Sequence, residues 1–239
     1  MKTSGNYYEW RARLRGATAM DGNGYRHPDG VECEARTPEA CPFRRKELRE
    51  AAKTDTLDPN EGTVVTASKV DSRTFHDTIV AAKESQDARK QWRVDAKSVE
   101  EYDDCECYAT ENGSTFALHG KDIVSVCRNR NDKDCYPLDL MAQAVEAGGD
   151  RLDSYEGNHA FYRKCGFEPV SWTKFNAEYA PEGASPEDIV FYRYTGNVQC
   201  LNPQDAKADL EKFKSGMEPM EYDDACAYRD NEIEKISGK

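Results

Sequence analysis

No stretch of this sequence approaches the roughly 20 consecutive apolar residues that a membrane-spanning helix needs. The opening residues, MKTSGNYYEW, also lack the hydrophobic segment of a signal peptide. We therefore expect a cytoplasmic protein with no membrane partner. The chain is polar, with a mean hydropathy of -0.90 and 38% hydrophobic residues. Its 239 residues nevertheless suffice for one α/β domain with extensions.

Positive charge is also scarce, because 33 lysines and arginines face 45 aspartates and glutamates and leave a net charge of -12. Nucleic-acid phosphates require a surface rich in lysine and arginine, so this balance argues against a nucleic-acid partner. An acidic protein attracts cations instead. The expected partner is therefore an amine substrate or a cationic protein.

The sequence lacks a disulfide or metal framework as well. Its nine cysteines are scattered and odd in number, unlike the dense even sets of small secreted domains. Cys33 and Cys41 lie near His27, but their separation is wider than the usual spacing of a zinc knuckle. Cys105 and Cys107 are too close together for a normal ligand pair. We predict reduced thiols and no metal site.

Composition and turn signals divide the chain into an N-terminal arm, an α/β domain and an acidic C-terminal tail predicted to be helical. The arm is locally neutral to basic and contains the segment between Cys33 and Cys41. Two short helices are predicted within it, Tyr7–Arg15 and Phe43–Lys53. The predicted boundaries of the three parts are residues 1–61, 62–197 and 198–239.

The α/β domain alternates strand-like and helix-like patterns. The strand TVVTASKV precedes an amphipathic helix from Ser72 to Asp87. CECYATE and STFALHG predict a hairpin around Asn112-Gly113. A strand from Asp122 to Asn129 then leads to a helix from Leu138 to Gly149. Strand RLDSYE, short helix HAFYRKCG and the strands FEPVSW and DIVFYRYTG complete a mixed sheet.

The phrase NHAFYRKCGFEPVSW is the most specific part of the sequence. Phe161, Tyr162, Gly166 and Phe167 stand at the spacing of motif B of the GNAT acetyltransferase superfamily, which this segment resembles. Gly166 suits the left-handed residue that ends a helix, and Phe167 then enters the core as the next strand begins. The resemblance implies an α/β fold with a GNAT-like mixed central sheet flanked by helices, an N-terminal arm and a C-terminal helical tail.

The same resemblance implies an N-acetyltransferase that transfers the acyl group of acetyl-CoA to an amine. In that family a motif B tyrosine protonates the departing thiolate, which makes Tyr162 the expected general acid. The family also has a strand that splays from its neighbour and binds the pantetheine arm and the acyl carbonyl through its backbone. The corresponding cofactor-binding residues here are Ile123, Val124, Ser125 and Val126.

The connection after that strand, RNRNDKDCYPLDL, departs from the family pattern because it lacks the glycines whose neighbouring amides cradle pyrophosphate. Arg128 and Arg130 are the predicted cofactor-binding replacements, although Asp132 and two further aspartates lie among them. Asn158 is another candidate for cofactor binding, with capping of the short helix as its alternative role. We expect weak or absent coenzyme A binding.

A second hypothesis is a catalytically inactive GNAT-like binding protein encoded by a phage or mobile element. It draws on the segment from Cys33 to Arg44, which resembles a Cys-x-Ala-x-x-Pro-x-x-Cys-x-x-His stretch of phage and actinobacterial proteins, with arginine at the final histidine position.

Two further groups of residues are expected to be ordinary surface or cap residues. The first is an acidic cluster whose alternative role is to attract a cationic amine. The second consists of single histidines that have no nucleophile arranged beside them. The acids are Glu100, Glu101, Asp103 and Asp104, and the histidines are His76, His119 and His159.

Overall fold

The computed structural model describes part of the arm and most of the remaining chain: residues 18–20, 24–26, 32–33, 65–179, 181 and 185–237. The two helices predicted in the arm lie outside these residues. Three short strands of the arm pair with one another in an antiparallel sheet of their own. They are β1 (Thr18–Met20), β2 (Gly24–Arg26) and β3 (Glu32–Cys33).

A seven-stranded mixed sheet forms the centre of the fold, in the order β4-β5-β6-β7-β8-β10-β9. Neighbouring strands run antiparallel except for β7 and β8, which are parallel. The strands are β4 (Ser68–Val70), β5 (Glu106–Ala109), β6 (Thr115–His119), β7 (Asp122–Cys127), β8 (Arg151–Tyr155), β9 (Phe167–Thr173) and β10 (Ile189–Tyr194).

Helices flank this sheet, which confirms the predicted α/β fold with a mixed central sheet and a helical C-terminal tail. No helix among the described residues is both long and apolar enough to cross a membrane. Short 3-10 helices cover Gln91–Arg93, Glu100–Tyr102, Glu156–Asn158 and Ala177–Tyr179. The α-helices are α1 (Ser72–Glu84), α2 (Pro137–Glu146), α3 (His159–Lys164), α4 (Pro203–Ser215) and α5 (Tyr222–Ser237).

The first strand and helix of the domain differ from the prediction at their outer ends. β4 is shorter than TVVTASKV because the amide of Ala67 donates to the Gln143 side chain of α2, at 2.8 Å, instead of joining the sheet. α1 begins as predicted, with Asp71 capping the amide of Thr74 at 2.9 Å, but ends at Glu84.

Glycines shape two turns that the sequence predicted. Gly113 has φ +86 in the hairpin between β5 and β6, which is a conformation that side chains with a Cβ rarely adopt. Gly166 has φ +88 directly after α3, and Phe167 follows it into the core with no exposed surface. Both predictions are confirmed.

The tail covers both faces of the last two strands. Alternate residues of a strand point to opposite faces of its sheet. Trp172 and Tyr192 therefore pack in the main hydrophobic cluster together with Leu210 of α4. On the other face, the Ser171 hydroxyl donates to the carbonyl of Ala225 in α5 at 2.6 Å.

Candidate functional site

The parallel strands β7 and β8 separate almost as soon as they meet. Asp122 and Arg151 form the one residue pair between them in the part of the chain that the structure describes. On its other side, β8 pairs with β10 along its whole length. Beyond this pair, the described residues of β7 and β8 are not joined in the sheet ladder. A separation of strands at this place is what the resemblance implies.

The splayed part of β7 contains a bulge at Ser125. Its φ is +53, a value that is uncommon for a residue other than glycine. The pairing of β7 with β6 shifts register here, between Thr115 and Ala117. The Ser125 hydroxyl is 2.9 Å from the Tyr102 hydroxyl and donates to the carbonyl of Asp95 at 3.2 Å. These contacts hold the strained backbone in place.

The other predicted cofactor-binding residues of β7 point their side chains into protein. Ile123 and Val126 pack in or against the main hydrophobic cluster. Val124 packs against a second cluster around Phe75 of α1, on the opposite face of the sheet. Any contact that these residues make to a ligand between the strands would therefore come from their backbone atoms.

Tyr162 lies in an aromatic cluster beside β8. Its ring centroid is 5.3 Å from that of Tyr192 and 6.2 Å from that of Phe167. Burial raises the pKa of Tyr162 to about 12, and a hydrogen bond with Ser154 of β8 partly opposes this rise. The phenol is therefore neutral at physiological pH and can donate a hydrogen bond.

Asn158 joins the same group of residues. It occupies the N-cap position of α3, but its side chain makes no capping hydrogen bond. Instead its amide nitrogen donates to the Ser154 hydroxyl at 3.0 Å. Ser154 thus brings Tyr162 and Asn158 together at the edge of β8, whereas the capping role that was the alternative for Asn158 is wrong.

The basic residues of the β7–α2 connection, residues 128–136, contact protein groups. The Arg128 guanidinium donates to the carbonyl of Asp132 at 3.0 Å and 3.3 Å. Arg130 donates to the Gln86 side chain at 3.3 Å, and Lys133 donates to the carbonyl of Arg130 at 3.0 Å. The cofactor-binding role of Arg128 and Arg130 remains a prediction, and it requires them to exchange these contacts for phosphate.

Asp132 anchors this connection. It has no exposed surface, and its carboxylate accepts hydrogen bonds from Thr110 and Ser114, each at 2.8 Å. Amides along the connection are engaged as well. Asn129 donates to Ser114 Oγ, Arg130 to Ser85 Oγ, Asn131 to Asn129 Oδ1, Asp132 to the carbonyl of Asn129, and Cys135 to Asp132 Oδ1.

A cavity of about 1040 Å³ opens at the C-terminal end of β8, on the face that α5 covers. Its walls come from the end of β8, the segment after β9 and the start of α5. Asp188 holds one wall in place by accepting the amide of Phe175 at 2.9 Å. The aromatic residues that line the cavity are Trp92, Tyr155, Phe175 and Tyr222.

Asp153 lies on β8 between Leu152 and Ser154. Because side chains alternate along a strand, it points to the face opposite Ser154, where Tyr222 of the cavity wall hydrogen-bonds to its carboxylate. Burial, with a smaller contribution from the neighbouring Asp122 carboxylate, raises the pKa of Asp153 to about 6, and Arg229 opposes the rise. A carboxylate with this pKa is ionised at pH 7 and can accept a proton.

Arg229 of α5 fixes the surroundings of Asp153. Its guanidinium is almost fully buried and donates to both carboxylate oxygens of Asp122, at 3.2 Å and 2.6 Å. It also bonds Asp230 at 2.8 Å. The C-terminal helix is therefore tied to the first residue of the splayed strand.

Sequence reasoning missed Asp153, Tyr222 and the cavity. The alternation in RLDSY could have placed Asp153 on the face opposite Leu152, but no pattern pointed to a helix 70 residues later as its partner. By contrast, the predicted surface character of Glu100, Glu101, Asp103 and Asp104 is confirmed, since all four are exposed.

His159 is not the surface or cap residue that the sequence suggested. It is 2% exposed, and its ring nitrogens hydrogen-bond to the Tyr192 hydroxyl at 3.0 Å and to Asp209 of α4 at 2.9 Å. Burial lowers the pKa of His159, although Asp209 opposes this effect. The histidine links α3 to α4.

No group of three or more potential metal ligands occurs among the described residues.

Comparison with known proteins adds little to this geometry. No family model matches the chain, and no curated protein matches it significantly. Among solved structures, the chain is similar to the apo form of YjaB from Escherichia coli, determined in solution, over 56% of this chain and 99% of that chain. The TM-score is 0.39 and the sequence identity is 15%.

Proposed function

We propose that the protein transfers an acyl group from a thioester such as acetyl-CoA to an amine. The observation that carries this proposal is the separation of β7 from β8 after a single residue pair. Tyr162, which is hydrogen-bonded to Ser154, and Asp153 lie on opposite faces of β8. In this proposal Tyr162 is the acid and Asp153 is the base.

Each residue has a defined part in this reaction. The amine nitrogen attacks the thioester carbonyl carbon, the carbon–nitrogen bond forms, and the carbon–sulfur bond breaks. Asp153 accepts the proton that the nitrogen loses. Tyr162 donates a hydrogen bond, and then its proton, to the departing sulfur. Backbone groups of β7 on the side that does not pair with β8 would orient the acyl carbonyl.

The raised pKa of Tyr162 limits when its proton can move. A free thiol has a pKa of about 8.5, so full transfer of a proton from a phenol of pKa about 12 is uphill even after the carbon–sulfur bond has broken. Tyr162 would therefore act first as a hydrogen-bond donor to the departing sulfur, and complete transfer requires that a proton, such as the one taken from the amine, is returned to the phenolate.

A GNAT-like binding protein without catalysis is the second candidate. It is favoured by the β7–α2 connection, in which several amides and the cations Arg128 and Arg130 already bond protein groups. A family member needs free amides at this place to hold pyrophosphate. This candidate predicts that no thioester is consumed in the presence of any amine.

Acyl transfer to a panel of primary amines separates the two candidates. We expect Tyr162→Phe to lower turnover by roughly 10- to 1,000-fold with little change in KM for the donor, because only proton donation is lost. Tyr108→Phe, which removes a hydroxyl bonded to Glu106 on β5, serves as the control and should retain full turnover. Absence of transfer by the unaltered protein would exclude catalysis.

A further inference from the structure

A closed ring of alternating charges surrounds the point where β7 and β8 meet. Asp122 and Arg151 form the one residue pair between these strands in the described part of the chain. Their side chains bond two consecutive residues of α5, and the residues that precede them in sequence complete the ring. The members of this charge ring, in order, are Lys121, Asp122, Arg229, Asp230, Arg151 and Asp150.

Two residues of α5 bridge the strands on one side of the charge ring. Arg229 Nη2 donates to Asp122 at 2.6 Å, and Arg229 Nε donates to Asp230 at 2.8 Å. The same carboxylate oxygen of Asp230 lies 3.0 Å from Arg151 Nη1. Asp230 thus joins an arginine of α5 to an arginine of β8. Removal of this carboxylate would leave two cations side by side, so the bridge depends on Asp230.

The residues that precede the two strands close the charge ring on the other side. Arg151 Nε donates to Asp150 at 2.8 Å, and the second oxygen of Asp150 lies 3.3 Å from Lys121 Nζ. The amide of Asp150 also donates to the Lys121 carbonyl at 3.0 Å. Three cations and three carboxylates therefore compensate one another within the charge ring.

The position of the charge ring indicates what it holds in place. Neighbouring strands of a sheet are joined by a ladder of hydrogen bonds, whereas the described residues of β7 and β8 share one pair. Arg229 is almost fully buried, so its bonds to both carboxylate oxygens of Asp122 are shielded from water and fixed in direction. The direction in which β7 leaves β8 therefore depends on α5 as well as on the sheet.

We propose that Arg229 and Asp230 are positioning residues for the acyl donor, because they act through Asp122 and Arg151 to fix the separation of β7 and β8. Neither residue needs to touch the donor. The inference rests on the proposed function in one respect, namely that the donor binds to the backbone of β7. The effect of the charge ring on the two strands can be tested without any donor.

Hydrogen exchange of the unliganded protein tests the charge ring directly. Asp230→Asn removes one charge from a side chain that is 40% exposed, so the fold should survive the change. We expect the amides of β7 and β8 to exchange about fivefold faster, while those of β9 keep their rates. Asp230→Glu retains the carboxylate and should recover most of the protection. Equal acceleration in all strands, or none in β7 and β8, would overturn the proposal.

Ser171→Ala is the matched control on the same helix. It removes the hydrogen bond from the Ser171 hydroxyl to the Ala225 carbonyl, which attaches α5 to β9 rather than to the charge ring. This variant should accelerate exchange in β9 and leave β7 unchanged. Equal acceleration of β7 in Ser171→Ala and Asp230→Asn would show that α5 acts only by docking on the sheet, and it would also overturn the proposal.

Transfer kinetics with acetyl-CoA separate failure of this inference from failure of the proposed function. For Asp230→Asn we expect kcat to fall by about 10- to 100-fold and KM for acetyl-CoA to rise, with KM for the amine unchanged, because the acyl carbonyl is misplaced. Ser171→Ala should retain the original constants. If the unaltered protein consumes no thioester, the proposed function fails, while altered exchange still assigns the charge ring to the separation of the strands. Unchanged donor kinetics in an active Asp230→Asn variant would overturn the positioning role and leave the function intact.

Discussion

The β7–α2 connection and the cavity beside β8 both contain charged residues, but these residues differ in burial and in hydrogen bonding. In the connection, Asp132 is fully buried and accepts hydrogen bonds from two hydroxyls and an amide. At the cavity, Asp223 and Asp224 are exposed, while Asp153 is partly buried next to Tyr222 of the cavity wall, where its pKa is raised to about 6. Charges satisfied by the fold contribute to stability, whereas charges left facing a cavity remain available to a ligand.

The largest expected difference between the regions is in stability. Asp132→Ala should lower the free energy of unfolding by about 3 kcal/mol or more, because buried donors on Thr110, Ser114 and Cys135 lose their acceptor. Asp223→Ala should change it by less than about 1 kcal/mol, mainly through the helix dipole. Denaturant titration measures both, and similar losses in the two variants would break the comparison.

Substitution of Gly166 should lower stability, as substitution of Asp132 in the connection does, because the fold depends on the backbone conformation of Gly166. Its φ is +88, and an added Cβ would lie 3.2 Å from Tyr194 and from Gly196. Gly166→Val should therefore cost about 2–3 kcal/mol. Gly120→Ala is the control, because it has φ +61 but no atom within 4 Å of the added Cβ. Equal denaturant midpoints for Gly166→Val and the unaltered protein would contradict this account.

Substitution of Asp153 should raise the free energy of unfolding rather than lower it, because its ionised carboxylate is unfavourable in the buried surroundings. Its pKa is raised from 3.8 to about 6, so the folded state binds the proton more tightly than the unfolded state. This contribution to stability is complete below pH of about 4 and is lost as the pH rises through about 6. Asp153→Asn should therefore be more stable than the unaltered protein by about 1–3 kcal/mol at pH 7.5.

Unfolding at two pH values tests this sign. The advantage of Asp153→Asn should largely disappear near pH 3.5, where most of the aspartate is protonated in both states. Glu100→Gln, an exposed position elsewhere, should show no such change. An equal advantage at both pH values would indicate that the carboxylate is not strained by its surroundings.

The smallest expected effect is the contribution of the nucleotide part of acetyl-CoA to its binding affinity. Because several amides of the β7–α2 connection are already engaged, acetyl-CoA should bind more weakly than about 10 μM. Acetyl-pantetheine, which lacks the nucleotide, should bind within about tenfold of it, a difference of at most 1.4 kcal/mol. Calorimetry measures both constants. A much larger gain from the nucleotide would show that the connection rearranges to hold phosphate.

The local elements of the domain were largely predictable because their signals are short in range. The spacing of Phe75 and Ile79 predicted α1, and both are fully buried. Gly113 and Gly166 predicted their turns, and both have positive φ. The order of these elements then predicted the mixed sheet. The ends of β4 and α1 were wrong by a few residues, since hydrogen bonds such as that from Ala67 to Gln143 depend on distant partners.

Only the part of the candidate site that contains motif B and the strand β7 was predicted from the sequence. Tyr162 and the strand from Ile123 to Val126 were named from the sequence, and the structure places Tyr162 in the core and the strand where β7 separates from β8. The role of Arg128 and Arg130 was inferred from charge alone, which does not reveal that both already bond protein groups. His159 was assigned to the surface because its partners, Tyr192 and Asp209, lie far along the chain.

The sequence by itself determined the strands, helices and turns of this domain, because periodicity and glycine conformation act over a few residues. The tertiary structure decided which polar groups are satisfied and which remain available. Asp132 and Asp153 are both acidic residues, yet the carboxylate of Asp132 accepts hydrogen bonds from Thr110 and Ser114, while Asp153 is partly buried beside Tyr222 at a raised pKa. Burial and hydrogen-bond partners arise from contacts across the fold, and these contacts set the chemistry of a side chain.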